Sequence, residues 1–431
     1  MIYGILSTIA FIIILPFWLV AGLFKPKLTV GFKEKCGFYN GIKSDIILNE
    51  PSNMAGLQSR PQKTIVFYGV SVGEVIAIEN LIKKTRETFP NTNIIVLTGT
   101  KTGQEIAHKK LSNTADFISY FPFDFPFCIK NMLKKLKPDA VFIAETELWP
   151  NFANTLNKQK IPIPLFIING RISDRTYKSY KKLSFFFSPI LKKYTNIFTQ
   201  SKQDNEKLIS IGANPKTTVI MGNLKFDINK PDASTLGFEK NSQHKILIAA
   251  STHNGEDEIV LKVFSELKRK FPNLKLILAP RHPERNENVF NLIKKSELTC
   301  SKRSQNADFE QNDVILLDTM GELAKFYSVC DVAFIGGSFN KTGGHNPLEA
   351  TIFKKPIVSG PSIHNFKDIY SILTSSDAGK IVKTPQELQN HLHKLLSDEI
   401  YYQKASQDCK TVFEQNQGAL EFVIKVLQTL V

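Results

Sequence analysis

A chain of 431 residues exceeds one ordinary domain and suits two, each with its own core. Hydrophobic residues make up 42% and charged residues 22%, which excludes a disordered chain. The 55 Lys and Arg against 40 Asp and Glu give a net charge of +15, which favours an anionic partner: nucleic acid, an anionic membrane surface or a phosphorylated substrate. Cys36, Cys128, Cys300, Cys330 and Cys409 are scattered and form no CxxC pair. That argues against a disulfide framework or a zinc site and for a reducing compartment.

From Met1 to Phe24 no residue is charged and most are Ile, Leu, Phe, Val or Ala. A helix of that length crosses a hydrocarbon core, which needs about 20 residues. Pro16 leaves a kinked or oblique, partly inserted helix open as well. A cleaved signal peptide is the alternative, but no basic residue precedes the run and Gly22 to Pro26 is a poor cleavage site. Lys25, Lys27, Lys33 and Lys35 follow, and the positive-inside rule keeps that side cytoplasmic.

Beyond the anchor, apolar β-branched runs alternate with helical stretches. The runs 64–70, 93–98, 140–144 and 164–168 read as buried strands, with a helix over 75–87. A second series covers 245–250, 274–279, 314–317, 332–335 and 356–359. Such alternation predicts parallel βαβ units with helices on both faces. The expected fold class is α/β: two doubly wound, Rossmann-like domains with a cleft between them, plus an N-terminal membrane helix. Expected boundaries are 1–24 for the anchor, 25–227 for the first domain, 228–243 for a linker and 244–409 for the second domain. Ligands of such sheets sit beyond the carboxyl ends of the strands.

In the first domain, Val70-Ser71-Val72-Gly73-Glu74 joins a strand to its helix. Glu74 is there either a partner of the helix dipole or, facing the cleft, a base for a hydroxyl. Glu145-Thr146-Glu147 sets two carboxylates beside Trp149, and Lys225 stands just before the linker.

In the second domain, Gly336-Gly337-Ser338-Phe339 follows a strand and Gly343-Gly344-His345-Asn346-Pro347-Leu348-Glu349 opens a helix. Either these glycines let backbone approach a phosphate at a helix N-terminus, with Glu349 on ribose hydroxyls, or they only make tight turns. Arg281 at a strand end suits phosphate, unless it is a solvated surface Arg. The loops at Ser251-Thr252-His253 and Asp318 to Leu323 complete a rim of four, which describes a nucleotide pocket. No GxxxxGK[ST] or GxGxxG occurs, which disfavours NTP hydrolysis and dinucleotide redox chemistry.

The motifs VSVGE, ETELWPN, NGRISDR, GNLKFD, STHNGE, PRHPER, DTMGEL and GGHNPLE, in this order, resemble 3-deoxy-D-manno-octulosonic acid (Kdo) transferases of lipopolysaccharide synthesis, from the anchor to about Asp368. The resemblance implies the GT-B fold, CMP-Kdo as donor and a lipid A precursor (lipid IVA) as acceptor. It also implies an inner-membrane enzyme with cytoplasmic catalytic domains, and a final helix (410–431) crossing back to the first domain.

By position, Glu74 matches the general base. Glu147 and Lys225 match groups that steady the transition state, with the choice between Glu145 and Glu147 open. Pro280, Arg281, Met320, Gly321, Glu322, Asn346, Pro347, Leu348 and Glu349 match the CMP contacts. Inverting transfer without a metal is expected, and no cofactor beyond the donor substrate.

Arg171, Arg175 and Lys178 precede Phe185-Phe186-Phe187 in a basic, aromatic stretch. It reads either as a face for phosphorylated lipid and membrane or as a solvated helix before a buried turn. The alternative function is another GT-B nucleotide-sugar transferase acting on a membrane glycolipid. Nucleic acid is not an expected partner, since the carboxylates would repel it, and no obligate protein partner is evident.

Overall fold

The computed structural model describes residues 3, 29–40, 63–238, 240–305 and 308–431. The expected membrane helix over 1–24 therefore lies outside the described residues, Tyr3 apart. Among the described residues no helix is long and apolar enough to cross a membrane. The chain divides into two compact units, Met1–Ile228 with Asn416–Val431, and Asn229–Gln415.

The first unit is built on β1 (Thr64–Gly69), β2 (Asn93–Thr98), β3 (Phe117–Tyr120), β4 (Ala140–Ala144), β5 (Leu165–Gly170), β6 (Asn196–Thr199) and β7 (Thr218–Ile220). They form one sheet in the order β3-β2-β1-β4-β5-β6-β7, and every pairing is parallel. Val66 sits opposite both Ile95 and Val141. All six residues of β1 are buried, as a strand covered on both faces requires.

Alternate side chains serve two cores. Val66 and Tyr68 join the helix Pro150–Asn157, whereas Ile65 and Phe67 join Ala419, Val423, Ile424 and Leu427. Those four lie on one face of the helix Ala419–Gln428, spaced as an amphipathic stripe demands. The terminal helical stretch is broken at Gly418, whose φ of 94° suits a residue without Cβ. The helix Glu399–Asn416 precedes the break.

The second unit repeats the plan with β8 (Lys245–Thr252), β9 (Leu274–Pro280), β10 (Cys300–Lys302), β11 (Val314–Leu316), β12 (Val332–Ile335), β13 (Ile357–Ser359) and β14 (Gly379–Ile381). The order is β10-β11-β9-β8-β12-β13-β14. In each sheet the crossovers part beside the first strand, between β1 and β4 and between β8 and β12. A parallel sheet opens its crevice at that point.

Candidate active site

In the first unit, Glu74 stands in the first turn of the helix Val72–Thr88, directly after β1. Its Oε2 accepts the Val70 N–H at 2.7 Å and its Oε1 the Ser71 hydroxyl at 3.0 Å. These bonds favour the carboxylate. Burial opposes them and prevails, with further help from Glu145 and Glu147, and the Glu74 pKa rises to about 7. A carboxylate that served only to cap a helix would be held low.

Glu145 and Glu147 follow β4, on the far side of the β1–β4 crevice. Glu145 has a left-handed backbone, φ 57°, uncommon without glycine. Lys225 Nζ approaches its Oε1 to 4.0 Å. Burial, then the charge of Glu145, raises the Glu147 pKa. Glu145, Thr146 and Glu147 line a cavity of about 180 Å³ with Arg171, Ile172, Ser173 and Thr176.

Lys225 is held by a ring of amides. Asn169, fully buried with φ 55°, accepts the Leu224 N–H on Oδ1 at 3.0 Å. Gln200 Nε2 donates to the Asn169 carbonyl at 3.0 Å, and Asn223 Nδ2 donates to Gln200 Oε1 at 3.1 Å. Asn223 Oδ1 accepts the Lys225 N–H at 3.0 Å, which fixes the short turn Leu224–Phe226. Asn169 and Gln200 carry no strand-end charge to mark them in the sequence.

In the second unit, the Gly336–Phe339 loop is already occupied. The carboxylate of Glu256, 1% exposed, accepts the N–H groups of Gly337 at 2.7 Å, Ser338 at 2.8 Å and Phe339 at 2.9 Å. It takes the His253 N–H at 2.9 Å as well. Such a nest of amides binds an anion, and here the anion is internal. The expectation that this loop holds a phosphate is therefore corrected.

Gly343 and Gly344 give their N–H groups to the Gly337 carbonyl at 3.1 and 2.8 Å. The helix after them, Leu348–Thr351, is a single turn. Pro347 and Leu348 are buried, so neither side chain is presented to a ligand. The second glycine pair thus makes turns.

The groups that remain on the rim are others. Pro280 ends β9 and Arg281 is exposed; among the described residues no hydrogen bond or ion pair engages its guanidinium. Arg285 is committed instead to the buried Asp257 and to the Thr252 carbonyl, the latter at 3.0 Å. Glu349 is half-buried, its pKa raised by burial against the opposing pull of Asn346 and Arg281. Met320 is 76% exposed beside Gly321, and Glu322 pairs with Arg303 at 3.3 Å. His253 and His345 share a hydrogen bond of 2.9 Å. Among the described residues no group of three or more His, Cys, Asp or Glu is arranged to hold a metal.

The basic stretch divides. Arg175 and Lys178 are exposed on the helix Asp174–Lys182, and Phe185 is 77% exposed. Phe186 and Phe187 pack against the core instead, Phe187 stacked on Tyr180 at 3.8 Å between ring centres. The reading of three exposed rings is corrected to one.

Comparison with known proteins bears on the family of the chain. Residues 31–228 match the family described as 3-Deoxy-D-manno-octulosonic-acid transferase (kdotransferase), and residues 240–411 match Glycosyl transferases group 1. A 3-deoxy-D-manno-octulosonic acid transferase of Haemophilus influenzae is 34% identical over 375 residues, 85% of this chain and 87% of the relative. One from Rickettsia felis is 30% identical over 402 residues, 92% and 85% respectively. A UDP-GlcNAc 2-epimerase from Neisseria meningitidis shares the two-domain fold alone, at a TM-score of 0.52 and 15% identity, over 85% of this chain and all of that one. With its motifs, its two parallel-sheet units and relatives that match across most of its length, the chain belongs to the 3-deoxy-D-manno-octulosonic acid transferases.

Proposed function

We propose that the chain moves Kdo from CMP-Kdo to the lipid A precursor in one displacement that inverts the anomeric centre, with Glu74 as the base. The observation that carries this reading is the state of Glu74. A side chain whose pKa is about 7 is both available as a carboxylate and basic enough to take a hydroxyl proton as the bond forms. Such a base contributes about 10²–10⁴-fold. Lys225, held 4.0 Å from Glu145, would offset the negative charge that three carboxylates bring to the crevice.

The second unit would hold the nucleotide. Arg281, whose guanidinium is free of partners among the described residues, suits the phosphate, and Glu349 and Asn346 suit sugar hydroxyls. The departing CMP gains charge, which a nearby guanidinium stabilises. The apolar run Met1–Phe24 and the lysines that follow support a place at the inner membrane with the catalytic units cytoplasmic. Arg171, Arg175, Lys178 and Phe185 would meet the phosphorylated lipid and the headgroup layer.

Purified protein given CMP-Kdo generated in situ and lipid A precursor should yield a lipid heavier by whole Kdo units, read by mass. Transfer from a uridine nucleotide sugar, with none from CMP-Kdo, would defeat the proposal.

A further inference from the structure

We propose that His253 and His345 form a proton-sharing pair that takes up a proton when a nucleotide phosphate binds beside Arg281. The proposal rests on the reading that the second unit holds CMP.

The pair is placed by the sheet. His253 follows β8 and His345 follows the β12 loop, so together they span the point where the crossovers part and ligands of this fold bind. One carboxylate ties their two loops together. Glu256 accepts the backbone N–H groups of His253 at 2.9 Å and Gly337 at 2.7 Å, and the adjoining Gly336 carbonyl accepts the backbone N–H of His345 at 3.2 Å. The Nε2 atoms then lie 2.9 Å apart.

Two imidazoles in that contact need one hydrogen between them: one Nε2 donates and the other accepts. A further proton enters at the donor ring's Nδ1 without breaking the bond. A second would set two N–H groups against each other. The pair therefore has room for a single extra proton.

Without a ligand the surroundings keep it neutral. Burial lowers both rings, His345 to about 4. Arg281 and His282 weigh against charge on both, and Arg285 on His253; Glu256 opposes them with its oxygens already engaged by backbone amides. A phosphate arriving beside Arg281 reverses that balance, since an opposite charge within a few ångströms favours the charged imidazole.

Calorimetric titration of the intact protein with CMP, near pH 6 in buffers of different ionisation enthalpy, counts the protons exchanged. The unmodified protein should take up on the order of one proton more than His253→Gln or His345→Gln, and its affinity should gain up to about tenfold per pH unit of acidification that the variants lack. CMP itself titrates near pH 6 with every protein, so the difference isolates the pair. Unfolding temperatures measured alongside show whether each variant folds, and His345→Asn replaces one that does not. Equal proton counts in all proteins overturn the proposal. Failure of CMP to bind the unmodified protein is a separate result, and it removes the donor reading with the pair's role.

Discussion

Lys225 and Glu145 meet at 4.0 Å with both side chains mostly buried, and neither residue is placed by its own element alone. Glu145 owes its direction to a left-handed backbone at the end of β4. Lys225 owes its position to Asn169, whose Oδ1 holds the neighbouring Leu224 N–H. Asn169 is thus a positioning residue. Asn169→Ala orphans that buried N–H and puts a Cβ-bearing residue without a compensating side chain at φ 55°, a cost of about 1–3 kcal/mol. We expect kcat to fall by roughly tenfold with little change in KM for the donor, because the groups proposed to hold the nucleotide lie on other loops. A change confined to unfolding temperature would make Asn169 structural only.

Glu74 ties activity and stability to pH in opposite senses. As the proposed base it works deprotonated, so kcat/KM should rise with pH through about 7. For stability, its folded pKa lies above the ordinary carboxylate value, so between those values the native chain binds the extra proton. Stability therefore falls as pH rises through about 7. At about 1.4 kcal/mol per tenfold in proton affinity, holding Glu74 ionised costs up to about 3 kcal/mol, partly solvated as the site is. Glu74→Gln should abolish turnover yet gain on the order of 1 kcal/mol at pH 8, while surrendering acceptor strength at Val70 N–H. Thermal unfolding at pH 5 and pH 8 beside the rate assay checks both, and substantial residual turnover would remove Glu74 from the base role.

Two arginines four positions apart should fail in different ways. Arg285 compensates Asp257, which is 1% exposed and also bound by the Thr252 hydroxyl at 2.6 Å. Arg285→Ala leaves that charge buried and unpaired, which costs about 3–5 kcal/mol. Arg281→Ala removes an exposed guanidinium that has no hydrogen-bond or ion-pair partner among the described residues. It should leave the unfolding temperature within about a degree and weaken CMP binding by roughly ten- to a hundredfold, the value of a charged hydrogen bond. Calorimetry and thermal unfolding on both variants separate them; equal loss of CMP affinity would place both in the nucleotide site.

Legibility from the sequence followed burial. Asn93–Thr98, Ala140–Ala144 and Val332–Ile335 are interior strands covered on both faces, and their apolar runs mark them to the residue. β3, β7, β10 and β14 are the sheet edges. Their pattern is weak because they are half-solvated: Val219 and Ile220 are exposed, and Cys300-Ser301-Lys302 is scarcely apolar. Glu74, Glu145 and Lys225 were visible as charges at strand ends. The Gly336–Phe339 loop misled because its anion comes from Glu256, some 81 positions away, and nothing local discloses that the nest is filled. Phe186 and Phe187 likewise take their partners, Tyr180 and the core beneath, from the fold.

Asp227 closes the first unit. It ends the same GNLKFD motif that carries Lys225, and it accepts the N–H groups of Gly418 at 2.7 Å and Leu420 at 2.6 Å. These are orphan donors at the start of the helix Ala419–Gln428, which a side-chain acceptor satisfies. The helix in turn covers Ile65, Phe67 and Ile94 with Val423, Ile424 and Leu427. At about 1.5–3 kcal/mol per buried large side chain, that face contributes roughly 5–9 kcal/mol, comparable with the whole stability of a domain. Removing 416–431 should therefore leave a chain that fails to fold its first unit, seen as lost near-ultraviolet dichroism and aggregation. Asp227→Ala should cost only about 1–2 kcal/mol, lowering the unfolding temperature with kcat/KM retained at 25 °C. A loss of turnover in a folded Asp227→Ala protein would show that the cap also steadies Lys225, two residues before it.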